Sequence, residues 1–225
     1  MATVGAFFNM TNKNRIDLLT HAGRTDITNK TKLWWESNNW EVHLWDNTGK
    51  LPAVGRNKII KDYQNSDREV LIMADDDITL YTHRYLTADW LKNPVIKHNE
   101  VYTVNSNHKM HYMAQNSTGW DDGVHHWRVS DMIGQMYVVA NKTVPLQDET
   151  IPALEDIEWA WQCFANGIKC YMLQTVFLRE QSTDKGSIFC KDRNERKLVY
   201  KQAETQMYAK WGITKKADFR KKYVN

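Results

Sequence analysis

Apolar segments alternate with polar, amphipathic segments in the first part of the chain. The stretches TVGAFFNMT and EVLIMADDD are apolar, and WEVHLWDN alternates apolar with polar residues, so all three predict β-strands. The stretch NKNRIDLLTHAGRTDITNKTKLWWES predicts a polar loop that leads into a helix, which ends near Asn38 and Asn39. The segment GRNKIIKDYQNS is typical of a short helix. This order predicts an α/β fold: a mostly parallel, Rossmann-like sheet with helices on both faces.

The second part of the chain is less regular. VYTVNSN, KMHYMAQ and IGQMYVVAN predict strands, whereas the glycine- and tryptophan-bearing stretch NSTGWDDGVHHWRVSD predicts a loop. In LEDIEWAWQCFANG the apolar residues recur at helical spacing, and Asn166 and Gly167 end the predicted helix. A last strand, IKCYMLQTVFL, follows. The sequence shows no internal repeat and no linker, so we expect a single domain.

The composition is that of an ordinary globular protein. Of the 225 residues, 42% are hydrophobic and 25% are charged, which excludes a disordered or fibrous chain. The apolar N-terminal stretch is too short for a secretory signal, and no run reaches the roughly 18 apolar residues of a membrane helix. The three cysteines lack C-x-x-C spacing, which favours reduced thiols over a zinc site. We therefore expect a soluble cytoplasmic protein without membrane insertion.

The net charge of +3 is unevenly distributed along the chain. Residues 185–225 carry twelve Lys or Arg against four Asp or Glu, so this basic tail has a net charge of +8 and residues 1–184 have −5. Such a cluster of cations can attract a polyanion through counterion release. A solvated helix face explains it equally well, and the sequence leaves both interpretations open.

Three consecutive carboxylates, Asp75 to Asp77, end the apolar stretch VLIMA. We call them the acidic triplet. Successive side chains on an extended backbone point to opposite faces, so Asp75 and Asp77 are expected on one side and Asp76 on the other. Two carboxylates suit Mg²⁺ or Mn²⁺ whose remaining ligands are phosphate and water oxygens. The alternative is a solvated acidic turn without a ligand.

The segment WDNTGKLPAVGRNKIIKDYQNSDREVLIMADDD resembles the nucleotide-binding half of glycosyltransferases with the GT-A fold, especially the family 2-like enzymes. In order, Asp46 matches the acid that ends the family's second strand, Arg56 and Asn57 match its A-R-N segment, and the acidic triplet matches its D-x-D motif. LEDIEWAWQCFANGIKCYM is similar to the family's E-D motif. The resemblance covers residues from about 3 to about 180, and the ordered motifs together are more specific than any one of them.

The resemblance implies a metal-dependent glycosyltransferase, hexosyl or pentosyl, with a UDP-sugar as donor and Mn²⁺ or Mg²⁺ as cofactor. It assigns Asp46 to the uracil or ribose, Asp75 and Asp76 to the ribose or metal, and Asp77 to the metal. The residues that it places against the rest of the nucleotide are Thr11, Arg15, Arg56 and Asn57. Arg56 also has a simpler interpretation, as a surface cation at the start of a helix.

The same resemblance implies the catalytic residues. Asp156, in the E-D pair, would remove the proton of the acceptor hydroxyl, with Glu155 as the second candidate. A base opposite the leaving group would invert the sugar configuration. Without the resemblance, two acids in a first helical turn simply stabilise the positive helix end. Trp120 and Asp121 are predicted to border the acceptor, although a tryptophan that covers the core is an equal alternative.

One departure from the family pattern concerns the metal. Relatives often have a metal-binding histidine beyond the last core strand, but all eight histidines here precede Arg128. Glu180, Gln181 or Asp184 could substitute, or the metal could rely on Asp77 and phosphate oxygens alone.

We expect a glycosyltransferase core at residues 1–180 and a basic, helical C-terminal extension of the same domain at 181–225. Within the core, residues up to about 100 would bind the nucleotide-sugar, and residues from about 101 to 180 would form the acceptor and catalytic half. The basic extension carries interspersed aromatic residues, as do proteins that bind single-stranded or flipped bases: Tyr200, Tyr208, Trp211, Phe219 and Tyr223.

The compact size and the residue usage resemble bacteriophage proteins, some of which glycosylate hydroxymethylated cytosine in their own DNA. The leading acceptor is therefore 5-hydroxymethylcytosine in phage DNA, which would place the protein in the host cytoplasm. A cell-surface glycan precursor is the alternative acceptor. A non-catalytic nucleic-acid-binding module is a further alternative, and a phosphoryl-transfer enzyme is disfavoured because no G-x-x-x-x-G-K loop is present.

Overall fold

The computed structural model describes residues 14–81, 100–105, 119–121, 126–131, 134–180 and 192–224. Several predicted features lie outside these residues: the strand TVGAFFNMT, Thr11, the strand KMHYMAQ, Gln181 and Asp184. For Trp120, Asp121 and Glu180 the structure describes the backbone alone.

The strands in the described residues form one sheet. They are β1 (Arg15–Thr20), β2 (Glu41–Asp46), β3 (Leu71–Asp75), β4 (Ile78–Tyr81), β5 (Glu100–Asn105), β6 (Gly119–Asp121), β7 (His126–Val129), β8 (Met136–Val139) and β9 (Lys169–Glu180). The helices are α1 (Thr25–Ser37), α2 (Pro52–Asn65), α3 (Glu155–Ala165), α4 (Arg193–Trp211) and α5 (Lys216–Tyr223). No helix in the described part of the chain combines the length and apolarity that crossing a membrane requires.

The strand order is β2-β1-β3-β8-β5-β9-β7-β6, with β4 paired to β9 outside this path. β1 pairs in parallel with both β2 and β3, and β5 pairs in parallel with β9, whereas the other pairings are antiparallel. Most strands of the sheet nevertheless point in one direction, and β4, β7 and β8 oppose them. The predicted α/β class, with most strands of the sheet in one direction and helices beside it, is confirmed.

Two hydrophobic clusters cover the two faces of the sheet. One contains Trp35 and Trp40 from α1 and its end, packed on alternate residues of β1, β3 and β8. The other contains residues of α2, α3, α4 and α5, packed on the opposite residues of β3, β5 and β8. Helices therefore lie on both faces, as the alternation of elements predicts.

The prediction of a polar loop at the start of the stretch NKNRIDLLTHAGRTDITNKTKLWWES is wrong, because residues 15–20 form the strand β1, which lies between β2 and β3. Asp17 interrupts the apolar run, yet its carboxylate is fully buried. It accepts hydrogen bonds from Arg15 Nη2 at 2.6 Å, Arg68 Nη1 at 2.7 Å and Trp45 Nε1 at 2.8 Å. Partners from distant parts of the chain allow a charged residue inside the sheet, and sequence periodicity carries no sign of them.

The stretch predicted as a glycine- and tryptophan-bearing loop also contains strands. β6 and β7 form an antiparallel pair in which Gly119 faces Arg128 and Asp121 faces His126. β7 then joins β9, so this hairpin extends the sheet. The backbone of Trp120 and Asp121 therefore lies in an edge strand of the described sheet.

The basic tail packs on the core through its aromatic residues. Phe219 is fully buried and stacks on Trp161 with the ring centroids 4.2 Å apart, and Trp211 contacts both rings edge-on. Tyr208 stacks on Trp161, and Tyr223 packs on Trp211. Four of the five tail aromatics thus contact protein rings, which corrects the expectation of an exposed series of stacking residues.

Candidate functional site

The carboxyl ends of the three parallel strands meet at one edge of the sheet. In the strand register Thr20 faces Asp46, and Leu19 faces Asp75. Ligands of open α/β sheets bind at this edge. The residues that follow these strands, above all the loop 21–24 after β1 and the acidic triplet at the end of β3, therefore form the candidate site.

Asp76 and Asp77 share Arg24, which lies on the loop after β1. Arg24 is hydrogen-bonded to Asp77, and its Nη1 lies 3.5 Å from Asp76 Oδ1. Asp76 Oδ2 also accepts hydrogen bonds from the backbone N–H of His21 at 3.2 Å and from Thr28 Oγ1 at 2.5 Å. The acidic triplet is thereby joined to the loop after β1 and to the first turn of α1.

These contacts correct the predicted orientation of the acidic triplet. β3 ends at Asp75, and Asp76 and Asp77 form a turn, so the alternation of an extended strand does not continue through them. Asp77 shares its partner with Asp76, whereas Asp75 pairs elsewhere. Burial raises the pKa of Asp76, which is fully inaccessible, although Thr28 and Arg24 act in the opposite direction. These surroundings favour a structural role for Asp76, in which it holds the loop after β1, rather than the predicted contact with the ribose or metal.

Arg56 joins the acidic triplet to the predicted catalytic pair. Its Nη2 donates to Asp75 Oδ1 at 2.8 Å, and its Nη1 donates to Glu155 Oε1 at 2.6 Å. The guanidinium is buried and lies 5.2 Å from the centre of the Tyr137 ring. Arg56 is therefore an internal bridge between two predicted motifs, and the interpretation as a surface cation is wrong.

The neighbouring Asn57 uses its amide to hold the loop before α3. Its Nδ2 donates to Gln147 O at 2.9 Å and to Glu149 Oε1 at 2.8 Å, and its Oδ1 accepts from the Gln147 N–H at 2.7 Å. Asn57 is buried, so these contacts use its hydrogen-bonding capacity. The contacts favour a structural role for Asn57 over the predicted contact with the nucleotide.

Asp156 is the carboxylate at this site whose proton affinity is best suited to acid–base chemistry. Burial and the adjacent Glu155 raise its pKa to about 7, against the opposing effect of Arg56. Its Oδ1 accepts a hydrogen bond from the Ile157 N–H at 2.8 Å. A carboxylate that titrates near neutral pH can accept and release a proton under physiological conditions.

A strained backbone precedes this pair. Leu154, which immediately precedes α3, has φ 62° and ψ 19°, in the left-handed region that costs a residue with a side chain roughly 1–2 kcal/mol. Such conformations persist where the surrounding structure imposes them, and they concentrate at functional sites. The strained residue lies directly before the predicted catalytic pair of Glu155 and Asp156.

Two other predicted donor residues have different surroundings. Asp46 is exposed at the carboxyl end of β2, where hydrogen bonds from Thr48 lower its pKa. Its position at the candidate edge agrees with the prediction. Arg15 does not follow the first described strand but begins it, and its guanidinium pairs with Asp17 and Asp62. The predicted position of Arg15 is therefore wrong, because β1 starts where a turn was expected.

Sequence reasoning missed three residues of the site: His21, Arg24 and Tyr137. His21 is buried, and this burial lowers its pKa to about 4 against the attraction of Asp75, so the imidazole is neutral at pH 7. The Tyr137 hydroxyl is buried without a hydrogen-bond partner, and burial raises its pKa well above the usual range. His21 and Arg24 follow a strand directly, so the correct position of β1 would have revealed them.

The charges of the described site favour a cation. Five carboxylates, those of the acidic triplet, Glu155 and Asp156, face the guanidiniums of Arg24 and Arg56. The site therefore has an excess of negative charge, and Asp76 Oδ1 is buried without a hydrogen bond. No set of three or more His, Cys, Asp or Glu side chains in the described residues could hold a metal by itself. One or two carboxylates bind Mg²⁺ or Mn²⁺ weakly by themselves, and substrate oxygens would complete the set of ligands.

Comparisons with known proteins add little to this geometry. No family model and no curated protein matches the chain. Among solved structures, GalNAc-T7 with UDP, GalNAc and Mn²⁺ aligns with a TM-score of 0.43 and 8% sequence identity. The alignment covers 90% of this chain and 51% of that chain, so this chain spans about half of the length of that protein. A likeness at this level carries no argument about function.

Proposed function

We propose that this chain is a glycosyltransferase that moves a sugar from a UDP-sugar to an acceptor hydroxyl with the help of Mn²⁺ or Mg²⁺. The observation that carries the proposal is the bridge formed by Arg56. It brings Glu155, from the E-D motif, next to Asp75, from the D-x-D motif. These motifs lie far apart in the sequence, and a transferase needs the donor site and the proton acceptor side by side.

The carboxyl edge of the sheet supplies the donor site. Asp46 lies at the end of β2, where it would bind the ribose or the base. Asp75 and Asp77 would hold the cation together with diphosphate oxygens. When bound, the cation neutralises negative charge that develops on the leaving diphosphate. Arg56 is held by the carboxylates of Asp75 and Glu155 and supports this arrangement.

Asp156 is the proposed general base. The acceptor oxygen attacks the anomeric carbon while its proton passes to the Asp156 carboxylate, and the bond from that carbon to the diphosphate oxygen breaks. Glu155 is less suitable, because Arg56 engages its carboxylate at 2.6 Å. The pKa of about 7 makes Asp156 a stronger base than an ordinary carboxylate. An attack opposite the leaving group would give an inverted product.

For the acceptor we propose 5-hydroxymethylcytosine in DNA as the first candidate and a glycan precursor as the second. Support for the DNA comes from exposed lysines on and beside α4 and α5: Lys197, Lys201, Lys215, Lys221 and Lys222. The packing of the tail aromatics inside the protein reduces the support from base stacking. Neutralising Lys215, Lys221 and Lys222 together should flatten the salt dependence of DNA binding, and an unchanged slope would contradict a role of the tail.

The test is a panel of UDP-sugars with Mn²⁺ or Mg²⁺, in which donor hydrolysis and transfer are both measured. The acceptors are hydroxymethylcytosine DNA, unmodified DNA and free glycans, and the control enzyme is Asp156→Asn. Product with modified DNA alone supports the first acceptor, and product with a glycan supports the second. No turnover of any nucleotide-sugar, together with DNA binding that depends on the tail, would replace this proposal by a non-catalytic binding module.

A further inference from the structure

Arg24 compensates the charge of the two most buried carboxylates of the acidic triplet. Asp76 and Asp77 are 0% and 2% exposed, and Arg24 itself is 9% exposed. The guanidinium is hydrogen-bonded to Asp77 and lies near Asp76. A buried carboxylate is strongly destabilising without a partner of opposite charge. Arg24 is therefore the counter-ion of these carboxylates in the protein without a ligand.

The contacts of Arg24 do not use all of its donors. Its Nε is buried and has no hydrogen-bond partner, and the same is true of Nδ1 of His21 on the same loop. Native proteins leave few buried polar atoms unpaired, so two on one short loop require an explanation. Arg24 also immediately precedes α1, whose N-terminus has no side-chain cap and favours an anion. A phosphate oxygen would satisfy the unpaired Nε.

The position of Arg24 also affects any cation at the acidic triplet. Asp77 is nearly inaccessible, and the guanidinium contacts the carboxylate that a cation would bind. The guanidinium and a divalent cation therefore compete for the Asp77 oxygens. Release of Arg24 would leave a cationic side chain, with several unused donors, at the edge where the diphosphate is expected.

We propose that Arg24 changes partners when the donor binds. In the free protein it pairs with Asp77; in the complex it leaves Asp77 to the divalent cation and donates to an oxygen of the nucleoside diphosphate. This inference rests on the proposed function and assigns to it a residue that the sequence motifs do not include. The exchange makes cation and donor binding interdependent, because one residue is released by the first ligand and used by the second.

The exchange predicts opposite effects of one substitution on two ligands. Arg24→Gln removes the competitor, so Mn²⁺ should bind the nucleotide-free protein more tightly by about tenfold, which corresponds to roughly 1.4 kcal/mol. The same variant lacks the cationic donor, so UDP should bind more weakly at saturating Mn²⁺, again by about tenfold. A residue that only supports the fold would weaken both ligands together.

Both affinities are measured by titration calorimetry on the full chain. The variants are Arg24→Gln, Arg24→Lys and Asp77→Asn, and the matched control is Arg68→Gln, which removes a part-buried arginine paired with Asp17 and Asp62. Asp77→Asn should lose Mn²⁺ binding, and the control should leave both affinities unchanged. Equal or weaker Mn²⁺ binding by Arg24→Gln, with normal Mn²⁺ binding by the control, would overturn the inference.

Two additions keep the test decisive. If Arg24→Gln does not fold, the melting temperature of Arg24→Lys is used: Mn²⁺ should raise it more than that of the wild type, because a lysine pairs less well with two carboxylates. An equal rise would overturn the inference. Inorganic pyrophosphate is titrated beside UDP. Binding of pyrophosphate through Arg24 without binding of UDP would support the exchange and contradict the nucleotide donor of the proposed function.

Discussion

Arg56 donates a hydrogen bond from Nη1 to Glu155 Oε1 at 2.6 Å and so connects α2 to the first turn of α3. The two residues are separated by 99 positions in the chain. Both side chains are less than one tenth exposed. The pair fixes the distance between the acidic triplet and the proposed base, so its removal should affect both stability and catalysis.

Arg56→Gln should strongly destabilise the protein, by about 3–5 kcal/mol, because it leaves two carboxylates without their buried cation. Denaturant unfolding of Arg56→Gln, Glu155→Gln and the double variant measures this effect. We expect the double variant to be less destabilised than the sum of the single variants, since one of the unpaired charges is then absent. Additive effects would show that the two side chains are not coupled.

Asp156→Asn should lower kcat by about 10²–10⁴-fold while UDP binding remains, because only the proton acceptor is lost. Glu155→Gln should lower kcat less, since Arg56 engages that carboxylate. Single-turnover kinetics and calorimetry with UDP separate the two effects. Near-normal turnover by Asp156→Asn would assign the base to another residue.

The wild-type rate should rise with pH through about 7, because Asp156 accepts a proton only when it is ionised. The same raised pKa lowers folding stability as pH rises from about 4 to 7, since the folded state binds the proton more tightly than the unfolded state. Asp156→Asn should therefore stabilise the fold at pH 8, by about 1–2 kcal/mol. Thermal unfolding at pH 5 and pH 8 checks this prediction, and equal stability of the variant and the wild type at pH 8 would contradict it.

His21→Gln should reduce the loss of stability in acid. The folded-state pKa of His21 is about 4, below the ordinary value of 6.5, so the unfolded state binds more protons between these pH values. Stability from this group is complete above pH 6.5 and falls as pH decreases towards 4, by about 2 kcal/mol. Denaturant unfolding of the wild type and of His21→Gln from pH 4 to pH 7 measures this pH dependence of the free energy of unfolding. The control His43→Gln removes a side chain that is 38% exposed and should keep the wild-type slope.

Phe219→Ala should destabilise the whole protein by about 3–5 kcal/mol, because the ring is fully buried against Trp161. We expect one cooperative transition, since the basic extension is proposed to belong to the same domain as the core. Denaturant unfolding, followed by both tryptophan fluorescence and circular dichroism, measures this. Tyr200→Ala, at a position 45% exposed, is the control and should have a small effect. A separate early transition in Phe219→Ala would show that the extension unfolds independently.

The sequence alone predicted several elements in their order, among them β3, β5, β8, α3 and β9. α3 follows from apolar residues at helical spacing and from the stop at Asn166 and Gly167, and the structure places it at Glu155–Ala165. β3 and β8 are apolar and short, as buried strands are. These elements can be predicted from the sequence because they depend on residues that are close together in the chain.

The strand β1 was missed for the opposite reason. The burial of Asp17 depends on Arg68 and Trp45, which lie far along the chain. The tail aromatics illustrate the same limit. The sequence pattern of an aromatic residue on a helix is the same whether its ring contacts a nucleic-acid base or Trp161.

The sequence by itself determined the α/β class and the separate acidic motifs, because periodicity and local spacing specify them. Only the tertiary structure decided which charges pair: Asp77 with Arg24, and Asp75 and Glu155 with Arg56. Pairing depends on distances between side chains from different elements, and burial then sets the pKa of groups such as Asp156 and His21. These are properties of the packed chain, since the sequence of one segment contains neither its neighbours nor its exposure to water.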